Sequence, residues 1–321
     1  MPDSTAPKRT VLLAEPRGFC AGVRRAIAIA DQALQRYGPP VYVRKEIVHN
    51  HRVVADLRSR GAIFVDSEEE VPEGALCIFS AHGVAPAVRD NAARRGLDVI
   101  DATCPLVAKV HQEARRFARD GRTLLLVGHA SHEEVEGTFG EAPDSTVIVE
   151  TRQDAQELDI DIAAPTAILT QTTLSLDETE EITAVLRERF PNLAAPPTSD
   201  ICYASENRQQ AVKILADRAE LVLVVGSTNS SNSVRMVEVA ATRGARAHLV
   251  PDVGHFQAHW LDGITTVGVS AGASAPEELV DELLAALTEH GFANIEILRA
   301  AAENIEFGLP ARLTAPAEES V

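Results

Sequence analysis

Short runs of apolar, mostly branched residues recur along this chain, at positions 11–13, 41–43, 62–65, 76–80, 124–127, 147–149, 167–169, 221–225 and 267–269. They are too short for core helices. Most lack the polar alternation of a strand with one wet face, so they read as strands covered on both sides. Helical patterns lie between them, at 21–37, 177–190, 205–218 and 276–290. Strand and helix taking turns in this way predict an α/β fold with largely parallel sheets.

Several units repeat one plan, a strand running into a loop dense in Gly, Ser, Thr, His or Cys and then a helix. VLLAEPRGFCAGV, LCIFSAHGVAP, LLLVGHASHEE, LTQTTLS, LVLVVGSTNSSNS and GVSAGASAPEE all fit it. In open parallel sheets ligands bind beyond the carboxyl ends of the strands, so function is expected in these loops. Three cysteines, Cys20, Cys104 and Cys202, divide the chain nearly evenly, and a Pro-rich stretch at 194–197 precedes the third. The reading is three small α/β domains, each giving one cysteine. They cover 1–103, with the C-terminal segment 286–312 packed on it, then 104–198 and 199–285, leaving 313–321 as a frayed tail.

Thirty basic residues against 47 acidic ones leave a net charge of −17 with no basic run. Such a field disfavours nucleic acid and anionic membrane surfaces. It also opposes an anionic small molecule, so a phosphate site must be built locally from backbone N–H groups, hydroxyls, amides and imidazoles. The opening MPDSTAPKRT contains neither a secretory apolar region nor a membrane span, which makes the cytoplasm the expected compartment.

Each of Cys20, Cys104 and Cys202 stands where a helix begins, a position that acidifies a thiol and exposes its sulfur as a metal thiolate requires. Cys77 lies inside an apolar run and reads as core. No CxxC pair is present, so spacing alone leaves zinc and an iron–sulfur cluster both open. The string GHASHEEVEGT places Glu134 as a candidate acid, with the imidazole of His132 as anion ligand or proton donor. Its spacing is not HExxH, and Glu133 and Glu136 read as a solvated helix face. His49 and His82 sit at strand-to-helix passages and, taken singly, read as structural histidines. His111, His248, His255, His259 and His290 carry no assigned role.

The loop Gly226-Ser227-Thr228-Asn229-Ser230-Ser231-Asn232-Ser233 carries more hydroxyl and amide groups than capping one helix needs, and reads as an anion-binding nest without lysine. Ser274, in a second loop of this kind, is a helix N-cap by pattern. Thr170-Gln171-Thr172-Thr173 is either a turn or a means of placing a hydroxyl beside Glu134.

Taken together and in order, GFCAGVRRA, VHN, SAHGV, DATCPLV, GHxxHxEVEGT, TQTTLS, DICYA, NRQ, GSxNSSNS and GASAPE closely resemble the 4-hydroxy-3-methylbut-2-enyl diphosphate reductase family of the methylerythritol phosphate route to isoprenoids. The resemblance runs from Gly18 to Glu277. It implies an oxidoreductase with three α/β domains in pseudo-threefold arrangement around one [4Fe-4S] cluster per chain. By position, Cys20, Cys104 and Cys202 match the cluster ligands, leaving an open apical iron for the substrate's hydroxyl oxygen. His49, His82, His132, Thr172, Ser230, Ser231, Asn232 and Ser274 match the substrate and diphosphate pocket, while Glu134, Thr172 and His132 match the proton-delivery group. The implied reaction is reductive dehydration of an allylic diphosphate to isopentenyl and dimethylallyl diphosphate, with ferredoxin or flavodoxin as electron donor. One departure is Glu133, where the family string more usually has Pro; it is read as a change of spacer. A zinc or iron hydrolase of a phosphorylated substrate and a non-catalytic iron–sulfur sensor are the competing classes.

Overall fold

The computed structural model describes residues 9–314. Its strands are β1 (Thr10–Glu15), β2 (Val41–Arg44), β3 (Ala62–Val65), β4 (Leu76–Phe79), β5 (Asp98–Asp101), β6 (Thr123–Val127), β7 (Thr146–Val149), β8 (Thr166–Thr170), β9 (Leu221–Val225), β10 (Arg246–Val250), β11 (Thr266–Ala271) and β12 (Asn294–Arg299). The helices are α1 (Ala21–Tyr37), α2 (His51–Ser59), α3 (Pro86–Arg94), α4 (Pro105–Arg119), α5 (Glu133–Phe139), α6 (Arg152–Glu157), α7 (Leu176–Arg189), α8 (Tyr203–Ala216), α9 (Ser231–Thr242), α10 (Glu277–Glu289) and α11 (Ala311–Thr314). Every described strand pairing is parallel, so the α/β class with parallel sheets holds. Among the described residues no helix is long and apolar enough to cross a membrane.

The chain divides into two compact units. The first joins residues up to Cys20 with Tyr203–Asn304 and holds one five-stranded sheet in the order β10-β9-β11-β1-β12. Because side chains alternate across a strand, β1 feeds two cores. Val11 and Leu13 join Leu223 and Val269 under Leu279, Leu283 and Leu287 of α10. Leu12 and Ala14 face Val212 and Leu215 of α8 and Met236 of α9. Burial on both faces is why these strands read as unbroken apolar runs.

The second unit, Ala21–Cys202 with the C-terminal stretch from Ile305, holds two sheets, β3-β2-β4-β5 and β7-β6-β8. Here β6 does what β1 does in the first unit. Its Leu125 and Val127 pack with Ile182 and Leu186 of α7. Its Leu124 and Leu126 pack with Val110, Ala114 and Phe117 of α4.

The strand order differs from the expected 1–103 domain at its start, because β1 lies between β11 and β12 and not beside β2. The parallel partners of β1 are remote in sequence, and a division read in chain order does not register them. The expected packing of 286–312 onto the first domain also splits: β12 pairs with β1, whereas Arg312 bonds Asp98 and Tyr37. Of the expected frayed tail 313–321, Leu313 is buried and belongs with Thr314 to α11; the remainder lies outside the described residues.

Candidate active site

In the second unit the loops beyond β2, β4, β6 and β8 carry His49, His82, His132 with Glu134, and Thr172. Asn50 caps α2 by accepting from the backbone N–H groups of Arg52 and Val53, which fixes the chain beside His49. The His49 and His82 rings stack with centroids 4.0 Å apart and planes 16° apart, and His132 meets both edge-on at 5.6 and 5.9 Å. Two histidines that read singly as structural therefore form one imidazole cluster with a third.

His132 is the N-cap of α5, and its Nδ1 accepts from the Glu134 backbone N–H at 3.1 Å. That bond assigns the neutral tautomer with its hydrogen on Nε2. Burial, then the neighbouring His82 and His49, hold His132 neutral with a pKa of about 3.

Glu134 is 2% exposed. Its Oε1 accepts from the Thr172 backbone N–H at 2.6 Å and its Oε2 from the Thr172 hydroxyl at 2.9 Å. Burial pushes its pKa up to about 7 against the pull of those two bonds, with the charge of Asp200 adding to the rise. A buried carboxyl that titrates near neutrality can hold a proton and release it.

The neighbouring Glu133 is not the solvated residue expected. Its Oε2 lies 3.0 Å from Nδ1 of His82, and its side chain is 21% exposed, against 60% for Glu136. Burial acts to raise Glu133, yet the bond to His82 holds it below the usual carboxylate range. Burial and the stacked His49 in turn pull His82 below its ordinary value. The resting pair is an ionised carboxylate accepting from a neutral imidazole.

Two of the cysteines are tied to these loops by main-chain bonds. The Cys202 N–H donates to the Thr172 carbonyl at 3.0 Å, and the Cys104 N–H to the Ala81 carbonyl, next to His82, at 2.9 Å. Lys109 of α4 braces the approach to Cys202 through the Thr198 and Ser199 carbonyls and Asp200. Cys77 is fully buried in β4, and burial pushes its thiol up to about 12, in keeping with a core residue.

In the first unit, Cys20 follows β1, and its N–H donates to the Ala273 carbonyl at 3.1 Å. Gly18 has φ +63°, a conformation that L side chains rarely adopt, and it turns the chain toward Cys20. Arg208, fully buried in α8, pins that turn by donating twice to the Gly18 carbonyl, at 2.6 and 3.2 Å, while pairing with Glu303 at 2.9 Å. The sequence signal for Arg208 was its place in the NRQ string, which gave it no role. Beyond β9 and β11, Ser230 receives the hydroxyls of Ser233 at 3.0 Å and Ser274 at 3.3 Å. Asn232 accepts from the Ala273 N–H at 2.8 Å and donates to Ser205. Ser231 opens α9, and the Ser230 side chain makes no capping bond to that helix. The predicted residues thus fall into two groups, Cys20, Ser230, Ser231, Asn232 and Ser274 in the first unit and the remainder in the second.

Cysteines placed where helices begin, an imidazole cluster and a buried carboxyl at the carboxyl ends of parallel strands mark an α/β enzyme equipped for proton transfer. The family model described as LytB protein matches residues 11–288. The chain is 57% identical, over 96% of its length and 91% of the relative, to the 4-hydroxy-3-methylbut-2-enyl diphosphate reductase of Acidothermus cellulolyticus. It is 56% identical to 4-hydroxy-3-methylbut-2-enyl diphosphate reductase 2 of Mycobacterium tuberculosis, over 96% of this chain and 92% of that one. The solved E-1-hydroxy-2-methyl-but-2-enyl-4-diphosphate reductase from Plasmodium falciparum superposes with a TM-score of 0.94 at 36% identity, covering 96% of this chain and 98% of that one. The chain belongs to the LytB family of 4-hydroxy-3-methylbut-2-enyl diphosphate reductases and is an oxidoreductase.

Proposed function

We propose that this protein converts (E)-4-hydroxy-3-methylbut-2-enyl diphosphate to isopentenyl diphosphate and dimethylallyl diphosphate, with two electrons and two protons removing the allylic hydroxyl as water. The observation that carries the reading is Glu134, a buried carboxyl with a pKa of about 7, held at both oxygens by Thr172. A proton donor of this kind suits loss of a poor leaving group such as hydroxide.

Cys20, Cys104 and Cys202 are proposed as the ligands of one [4Fe-4S] cluster. Their chemistry fits: each thiol is half-buried at the start of a helix, none is in a disulfide, and soft thiolates suit such clusters. When bound, the cluster supplies single electrons and, with three protein ligands, one iron open to the substrate.

The chain's own residues bind, orient and protonate. Glu134 delivers a proton, with the Thr172 hydroxyl bonded to it and the His132 ring fixed beside it by the Glu134 N–H. His49, His82, Ser230, Ser231, Asn232 and Ser274 hold the diphosphate as hydroxyl, amide and imidazole donors, which accords with an acidic chain lacking a basic patch. A ferredoxin or flavodoxin donates the electrons, and the reaction takes place in the cytoplasm.

Turnover by anaerobically purified protein with dithionite and a viologen tests the reading. Product forms with the parent chain, whereas Glu134→Gln retains iron and sulfide and loses turnover. A colourless protein with stoichiometric zinc, or no turnover in the parent, overturns it.

A further inference from the structure

Within the imidazole cluster the hydrogen bonds assign the ring nitrogens unequally. His132 accepts at Nδ1 from the Glu134 N–H, so it already carries a hydrogen on Nε2 and is a donor as it stands. His82 is the reverse. Its Nδ1 faces the Glu133 carboxylate at 3.0 Å and must donate, which leaves a lone pair on Nε2 in the neutral ring. His49 repeats the pattern, with Nδ1 3.2 Å from Glu46. In that tautomer the His82 ring cannot donate from Nε2 to a phosphate oxygen until it gains a proton. Once it does, a carboxylate already stands at its other nitrogen.

We propose that Glu133 is a positioning residue of the diphosphate pocket: it fixes the His82 ring through Nδ1 and supplies the counter-charge for its imidazolium, so that ligand binding is coupled to uptake of a proton from solvent. The inference rests on the reading of this pocket as the diphosphate site.

The surroundings favour proton uptake over a resident cation. Facing His82 are His49 and Glu46 from the loop before α2, Glu133 and His132 from the start of α5, and the Ser80 hydroxyl at 3.3 Å. Of the nearby fixed cations, Lys45 pairs with Asp66 at 3.6 Å, and Arg44 is held by Glu68 at 2.9 Å with Glu136 beyond it at 4.0 Å. Neither forms an ion pair with Glu133 among the described residues, and the more distant charge of Lys45 adds to the hold on the ionised carboxylate. The His49 ring stacked at 4.0 Å opposes charge on His82, so the Glu133 carboxylate is the group that offsets it. The proton comes from solvent, joins Nε2 of His82, and no bond of the ligand breaks. Proline at position 133, the residue more usual in the family string, has no group to offer His82. What reads as a changed spacer is therefore an added carboxylate.

The test uses cluster-loaded protein without reductant and titrates the substrate calorimetrically at about pH 8 in two buffers of different ionisation enthalpy. The parent takes up about 0.5–1 proton per ligand bound, and Glu133→Gln takes up less than half of that. Glu133→Pro behaves alike; proline suits the first position of a helix, so this variant keeps α5 and guards against misfolding of the glutamine one. In turnover, KM of both variants rises about tenfold at alkaline pH, the worth of a charge-assisted hydrogen bond, and the ratio to the parent shrinks as pH falls. Equal proton uptake in the parent and both variants, or none in the parent, overturns the proposal. Failure of the parent to turn over at all would instead sink the assigned reaction.

Discussion

Replacing Glu134 by Gln should make the protein more stable, by an amount that grows from mildly acidic to alkaline pH. The carboxyl has an ordinary pKa of 4.5 and is raised to about 7 in the fold. For an acid whose folded pKa is raised, the unfolded chain ionises first as pH climbs. Stability therefore falls between the two values, and the loss is complete above the higher one. At about 1.4 kcal/mol per unit, the loss reaches about 1 kcal/mol at about pH 5.5 and about 3 kcal/mol at about pH 8.5. Gln avoids it, because the amide is neutral at every pH and reproduces the contacts. Its oxygen accepts from the Thr172 N–H as Oε1 does at 2.6 Å, and its NH2 donates to the Thr172 hydroxyl that Oε2 meets at 2.9 Å. Denaturant midpoints of parent and variant, measured anaerobically at the two pH values, should separate by roughly 2 kcal/mol more at the alkaline one. A difference that does not change with pH, or a variant less stable than the parent at pH about 8.5, would refute the reasoning. The gain should accompany loss of turnover, as when a functional group is held in an unfavourable state.

Three further predictions follow from single sites. Cys77→Ala should retain the full iron content of the parent and cost about 1 kcal/mol of stability, whereas Cys104→Ala and Cys202→Ala should lose iron; iron and sulfide analysis separates them. Arg208→Met leaves Glu303 and the Gly18 carbonyl without their buried partner and should cost about 3–5 kcal/mol in denaturation, with loss of bound iron as the turn before Cys20 loosens. Gly272→Ala would bring a Cβ to 2.0 Å from Ser233 Oγ, and Gly226→Ala one to 2.2 Å from the same atom. Either should displace the Ser230–Ser233 bond, cost about 1–3 kcal/mol and raise KM more than it lowers kcat.

All nine apolar runs singled out in the sequence are strands, and the three strands that pattern reading passed over are β5, β10 and β12. Each of those is the edge of its sheet. An edge strand is wetted on one side, so Asp98 and Asp101, Arg246 and His248, and Glu296 and Arg299 interrupt the apolar signal that marks the other strands. Within the site, a hydroxyl beside Glu134 was legible because TQTT follows a strand as GHASHEE does. The partner of Glu133 was not, since His82 lies 51 residues away and only the meeting of two loops reveals it. The Arg208–Gly18 bond, spanning 190 residues, escaped for the same reason.

Glu133 and Glu134 are consecutive in one short helix, yet their carboxyls are driven in opposite directions. Successive helical residues point about 100° apart, so one turn presents them to different surroundings. Glu134 enters a buried niche where its carboxyl is bonded, among the described residues, by the neutral donors of Thr172, and burial with the charge of Asp200 outweighs them. Glu133 meets an imidazole, a partner that can itself become positive, and is held ionised. A pair of titratable groups pushed apart in this way divides the acid and base roles between them. Here the division answers the problem set by the chain's acidity. On the reading proposed above, the neutral member carries the proton for the reacting end of the substrate, and the charged member draws a proton onto the ring that meets the anionic end. On that reading the roles cannot be exchanged, because among the described residues a carboxylate at 134 has no cation beside it, and a neutral group at 133 would leave the proposed His82 imidazolium without its counter-charge.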